Sequence, residues 1–143
     1  MKLRSVQEAE VNNKRVLVRA GFDVPFDEEG EITDDERIKE CLPTFRYLLK
    51  CQAKLILCAH NGRPKGRVVP KLSMDKVAIR LEKLMDRKVK KLDDCVGPGV
   101  EKEVLGMKLG DIILLENLRF RKEEEENKSV FARQLASLAE VYV

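Results

Sequence analysis

The stretch KLILCAHNGRPKG, Lys54 to Gly66, decides the fold. Its first half, Lys54 to Ala59, is apolar at nearly every position rather than at every second one, so it reads as a strand buried on both faces. Its second half breaks at once into Gly62, Pro64 and Gly66, and the loop runs on through Pro70 to Ser73. The same kind of strand recurs on either side. RVLVR, Arg15 to Arg19, is broken by Gly21 and Pro25, and DIILLE spans Asp111 to Glu116. A brief further strand is expected near Val89 to Leu92.

The segments between these strands carry helical periodicity. Ile38, Cys41, Leu42, Phe45, Leu48 and Leu49 recur on one helix face, with Thr33 or Asp34 as the cap. Pro43 removes a backbone donor inside that pattern, so the helix either kinks there or begins a turn late. Ser73 is placed to cap a helix whose face is Val77, Ala78, Leu81, Leu84 and Met85. Gly97 and Pro98 open a stretch to about Met107, and Val130, Phe131, Leu135, Leu138 and Ala139 form a last helical face. Strands alternating with helices predict a doubly wound α/β domain around a parallel sheet. Val141, Tyr142 and Val143 read as the opening of one more strand with no helix after it. The expectation is therefore a sheet that stops before its last elements, with an exposed edge through which copies self-associate.

Composition narrows the class. At 143 residues the chain fits one compact domain, and 43% hydrophobic with 37% charged residues supports a core without a membrane span. Lys and Arg number 28 against 25 Asp and Glu, a net charge of +3, which is far from the basic excess of a nucleic-acid binder. Met1 to Glu10 is charged and carries no secretory signal, so the expected compartment is the cytoplasm. Cys41, Cys51, Cys58 and Cys95 are widely spaced and form no Cys-x-x-Cys pair, which favours reduced thiols over zinc or disulfides.

In parallel α/β sheets, ligands bind beyond the carboxyl ends of the strands. Gly21, Phe22 and Asp23 follow the first long strand, and His60, Asn61, Gly62, Arg63 and Lys65 follow the second. Asn117, Arg119, Arg121 and Lys122 follow DIILLE, and Arg37 lies near the start of the first helix. Taken singly, His60 is an ordinary loop or core histidine and Arg119 a solvated charge, while Glu123 to Glu126 read as a solvated acidic loop. Together the strand-end cations suit a small anion, because guanidinium groups meet phosphate or carboxylate oxygens two at a time. GRPKGR, Gly62 to Arg67, lacks the spacing and the Lys-Ser/Thr of a Walker loop. No nucleophile arrangement stands out, and one histidine without paired cysteines offers no metal cluster.

KRVLVRAGFDVPFDEEGEITDDERI, LPTFRYLL, AKLILCAHNGRPKG, DDCVGPGVE, GDIILLENLRF and FARQLASLAEVYV, in that order and across nearly all of the chain, resemble the N-terminal domain of phosphoglycerate kinases. The resemblance implies a Rossmann-like domain that binds 3-phosphoglycerate. It implies a separate C-terminal nucleotide domain, absent from residues 1–143, that binds Mg2+ with ATP or ADP, so no cofactor is expected on this chain. It further implies that Arg37 is the catalytic arginine, steadying charge on the transferring phosphoryl group. Gly21, Phe22, Asp23, Arg37, His60, Asn61, Gly62, Arg63 and Arg119 are the expected substrate-binding positions, with no metal ligand.

The chain departs from the family pattern where Gly21-Phe22-Asp23 replaces Asp-Phe-Asn, and at Ala59 and Asn61, where serine and leucine are usual. Loss of a charged hydrogen bond at Gly21 is expected to weaken binding by about 1.5 to 3 kcal/mol. Two expectations follow. The 143 residues form part of a phosphoglycerate kinase and do not turn over ATP alone, or they are a non-catalytic remnant that serves as an interaction module.

Overall fold

The computed structural model describes residues 4–143. Five parallel strands form one sheet in the order β3-β4-β2-β1-β5: β1 Arg15–Arg19, β2 Lys54–Cys58, β3 Lys90–Lys91, β4 Ile112–Leu114 and β5 Val141–Tyr142. The helices are α1 Glu36–Lys50, α2 Asp75–Met85, α3 Pro98–Leu105, α4 Lys122–Glu125 and α5 Ser129–Ala136. This is the doubly wound α/β arrangement that the apolar strands predict, Rossmann-like as the family resemblance implies.

Both faces of the sheet are buried, which is why its central strands lack polar alternation. On one face Val16, Val18, Leu55, Leu57, Ile112 and Leu114 join residues of α1 and α2 in one core. On the other, Leu17, Ile56, Cys58 and Ile113 join Val100 and Val104 of α3, Phe131 of α5 and Leu138 beyond it. Adjacent strand residues thus enter opposite cores, as the period of two requires. Registers Leu55↔Ile112 and Val16↔Leu55 hold the carboxyl ends of β1, β2 and β4 side by side.

Several local details differ from the sequence reading. Pro43 sits within α1, which starts at Glu36 and is neither delayed nor divided at the proline. The cap position is Asp35, while the Asp34 carboxylate accepts the Glu36 N–H at 2.9 Å. Helix α2 is likewise entered through Met74, whose N–H is met by Glu116, and the Ser73 hydroxyl accepts the Asp75 N–H. Val130 points to solvent at 65% exposure, so the inward side of α5 starts at Phe131.

The four cysteines are free, with Cys58 and Cys95 buried and Cys41 and Cys51 half-buried. Burial pushes the thiols of Cys58 and Cys95 up to about 12, which leaves them protonated and inert. Strand β5 pairs with β1 at the sheet edge, and an apolar hollow of about 480 Å3 beside it is lined by Leu17, Cys58, Leu135, Ala139, Val141 and Tyr142 among others. No helix among the described residues is long and apolar enough to cross a membrane.

Candidate functional site

The exits of β1, β2 and β4 meet at one end of the sheet and are tied by side-chain amides and carboxylates. Asn61, buried to 2% exposure, donates its Nδ2 to the Phe22 carbonyl at 3.2 Å. The Asp23 carboxylate accepts the Gly62 N–H at 3.0 Å and stands 3.8 Å from His60 Nε2. Asn117, fully buried, accepts N–H groups from Asn61 at 3.3 Å and Arg119 at 3.1 Å, and donates to the carbonyls of Asn61 at 2.8 Å and Leu72 at 2.9 Å.

Two glycines let the loop at 62–73 fold back onto this frame. Gly62 has φ +63°, and a Cβ there would sit 2.8 Å from Leu72 Cδ2. At Gly66, φ +73°, a Cβ would fall 2.5 Å from Lys122 Cβ and 2.8 Å from its Cα. A side chain at either position meets both a strained backbone and a collision. The approach lets Gly66 donate its N–H to the Arg119 carbonyl at 3.2 Å.

Charge at this end is partitioned. Arg19, the last residue of β1, places Nη2 2.7 Å from Glu124 Oε1. The other oxygen of Glu124 is 3.4 Å from Arg119 Nε, and Glu125 adds a carboxylate oxygen at 3.5 Å. Those contacts attract without an aligned hydrogen bond, and Arg119 Nε is a buried donor lacking a partner. Burial raises the Glu124 carboxyl, but the Arg19 hydrogen bond and the charges of Arg19 and Arg119 outweigh it and hold Glu124 below its ordinary value. Burial lowers the His60 pKa and the nearby Arg119 lowers it further, against an opposing pull from Asp23.

A second network braces the site from behind. Glu116 accepts the Met74 N–H at 2.9 Å and its own neighbour's N–H, that of Asn117, at 2.7 Å through Oε1, while Oε2 takes the Ser73 hydroxyl at 3.1 Å. Lys91 Nζ lies 2.8 Å from Glu116 and 3.0 Å from Asp75. Burial opposes the Lys91 charge, yet these carboxylates raise its pKa above the ordinary lysine value.

The predicted residues divide into three groups. Asp23, His60, Asn61, Gly62 and Arg119 are brought together. Phe22 contributes its carbonyl, but its ring is fully buried and packs edge-on against Phe45 with centroids 6.0 Å apart, so it is a core side chain. Gly21 is exposed, with open space where a Cβ would be. Arg37, in the first turn of α1, and Arg63 are exposed, and among the described residues neither guanidinium makes a hydrogen bond or ion pair with the cluster. Arg121 is turned away, its guanidinium bound twice by Asp94 at 2.5 and 3.2 Å. Glu123 to Glu126 are not a plain solvated loop: most of them lie in α4, and the Glu124 side chain is only 11% exposed. Arg19 escaped the reading because it closes a strand rather than opening a loop, although its position at a strand end was the available signal.

Among the described residues no group of three or more His, Cys, Asp or Glu side chains is placed to hold a metal ion. The strand-end cluster instead gathers a histidine, arginines and backbone N–H groups. The family model that describes phosphoglycerate kinase matches residues 6–143. The chain belongs to the phosphoglycerate kinase family. It is 55% identical over 139 residues to the phosphoglycerate kinase of Moorella thermoacetica, a match covering 97% of this chain and 35% of that protein. Identity to the Aquifex aeolicus phosphoglycerate kinase is 52% over 143 residues, covering 100% of this chain and 36% of the relative.

Solved phosphoglycerate kinases share the fold. The structure from Coxiella burnetii superposes with a TM-score of 0.86 at 31% identity, covering 99% of this chain and 34% of that one. That from Pyrococcus horikoshii OT3 gives 0.87 at 28% identity, over 98% of this chain and 36% of the other. The chain thus spans about a third of the length of the phosphoglycerate kinases it matches.

Proposed function

We propose that this chain supplies the 3-phosphoglycerate site of a phosphoglycerate kinase. In that reaction a carboxylate oxygen of 3-phosphoglycerate takes the γ-phosphoryl group of ATP, giving 1,3-bisphosphoglycerate and ADP. The observation that carries the reading is the gathering of His60, the Gly62 loop and the guanidinium groups of Arg19 and Arg119 at one strand end. His60, Arg63 and Arg119 bind the phosphate and carboxylate of the substrate. Arg37 acts as a fixed cation toward charge that develops on the transferring group, a task that requires no proton transfer.

Mg2+ and the nucleotide belong to a part of the enzyme outside these residues, and the 143-residue chain taken alone is inactive. The setting is glycolytic and cytoplasmic. A coupled assay with ATP and 3-phosphoglycerate tests the inactivity, since turnover by the pure chain overturns it. Calorimetric titration of 3-phosphoglycerate tests the site: saturable binding of one equivalent supports it, and no heat above dilution removes it.

Asp23 favours a second reading. Its carboxylate brings negative charge between His60 and the Gly62 N–H, where an anionic ligand gains from neutral or positive partners. A non-catalytic interaction module is the consequence if that charge abolishes binding, and self-association through the β5 edge is its accessible form. Sedimentation at rising concentration separates the two, because a substrate-binding module stays monomeric in it.

A further inference from the structure

Asn117 has no exposed surface and no unused hydrogen-bonding capacity toward the loops around it. Its Oδ1 faces two N–H groups, those of Asn61 and Arg119, and its Nδ2 faces two carbonyls, those of Asn61 and Leu72. That pattern fixes the orientation of the amide, because the reversed one would set donors against donors and acceptors against acceptors. It also excludes aspartate, whose carboxylate would lie against two carbonyl oxygens. The three partners belong to different strand-end segments: the exit of β2, the end of the loop at 62–73, and the turn after β4 that carries Arg119.

We infer that Asn117 is the positioning residue of the anion site, its side-chain amide fixing the His60–Arg63 loop and Arg119 at one separation so that both meet the same ligand. The inference rests on the reading of these loops as a 3-phosphoglycerate site. Asn117 itself does not face the ligand, so its effect travels through the backbone at Asn61 and Arg119. The Glu116 carboxylate, which receives the Asn117 N–H at 2.7 Å while meeting the start of α2, fixes the backbone from which the amide projects. Oxyanion and phosphate recognition depends on such fixed geometry, since a displacement of about 1 Å is enough to cost large factors in binding or rate.

The test compares Asn117→Ala with Val104→Ala. Val104 is buried in α3 and lines a hollow with Arg15, at the opposite end of β1. Melting temperature and 3-phosphoglycerate affinity are measured on the 143-residue chain for both variants. The inference predicts that Asn117→Ala binds at least tenfold more weakly than Val104→Ala when each is assayed at the same interval below its own melting temperature. Val104→Ala stays within twofold of the parent chain. Equal affinities of the two variants overturn the inference.

Hydrogen exchange on the unsubstituted chain supplies the answer if Asn117→Ala does not fold. The amides of Asn61 and Arg119 share one acceptor, so they show one common protection factor, and both are protected further by 3-phosphoglycerate. Protection factors that differ more than tenfold overturn the coupling. A parent chain that binds no 3-phosphoglycerate, with the two amides still exchanging together, overturns the substrate reading and leaves the amide's joining of the loops supported.

Discussion

The carboxylate of Asp23 accepts the backbone N–H of Gly62 at 3.0 Å, and so ties the exit of β1 to the exit of β2. An asparagine could make the same bond through its oxygen without the charge. Asp23→Asn is therefore expected to keep the loop in place and strengthen anion binding. One charge near the site is worth ~1 kcal/mol when well solvated, or roughly fivefold in affinity. Calorimetry with 3-phosphoglycerate checks it, and a weakened variant would show that the carboxylate contributes something its charge does not explain. Because Asp23 pulls the His60 pKa upward, the same substitution lowers it, which an NMR titration of the imidazole reads directly.

Glu124 holds Arg19 at 2.7 Å and stands 3.4 Å from Arg119, so ligand oxygens compete with it for the same guanidinium groups. Glu124→Gln is expected to tighten 3-phosphoglycerate binding about two- to fivefold, within the ~1 kcal/mol typical of partly solvated ion pairs. Unchanged affinity in Glu124→Gln, with Arg119→Ala abolishing binding, would mean that Glu124 does not compete.

Loss of Glu116 leaves Lys91 with only the exposed carboxylates of Asp75 and Asp93 and strips acceptors from the N–H groups of Met74 and Asn117. A buried N–H left without its acceptor costs about 1 to 3 kcal/mol, so Glu116→Ala should lower stability in urea by that order. Lys91→Met relieves part of the penalty in the double variant. A Glu116→Ala chain that unfolds at the parental urea concentration would contradict this account of the network.

His60 makes stability depend on pH with a definite sign. Its folded pKa lies below the ordinary 6.5, through burial and the charge of Arg119. As pH falls through 6.5 the unfolded chain takes up the proton first, so the His60 contribution is lost from there down to the folded value. The parent chain should therefore lose more melting temperature between pH 7.5 and 5.5 than His60→Gln does. Asp94 and Glu140, held below their ordinary values despite burial by Arg121 and Arg15 respectively, act lower, with stability lost as pH falls through their folded values.

The parallel sheet was legible because residues such as Leu55, Ile56 and Leu57 are all buried, on alternate faces, and so leave an unbroken apolar run. The strand-end rule then located Asp23, His60 and Arg119 together. What stayed hidden was pairing between charges far apart in sequence. Nothing local distinguishes Glu124 from Glu123 or Glu125, and it is the end of β1, 105 residues away, that selects it for Arg19. The entry to α2 was half legible for the same reason: the Ser73 hydroxyl meets the Asp75 N–H, but the Met74 N–H is met by Glu116, 42 residues away. Phe22 illustrates the converse, since its ring belongs to the core although its neighbours in sequence face the site.

Titration of 3-phosphoglycerate into the isotopically labelled chain, followed by amide NMR, tests the central claim most directly. The account predicts dispersed peaks and saturable shifts centred on His60, Gly62, Arg63 and Arg119. Dispersed peaks that stay unmoved at saturating ligand would contradict it.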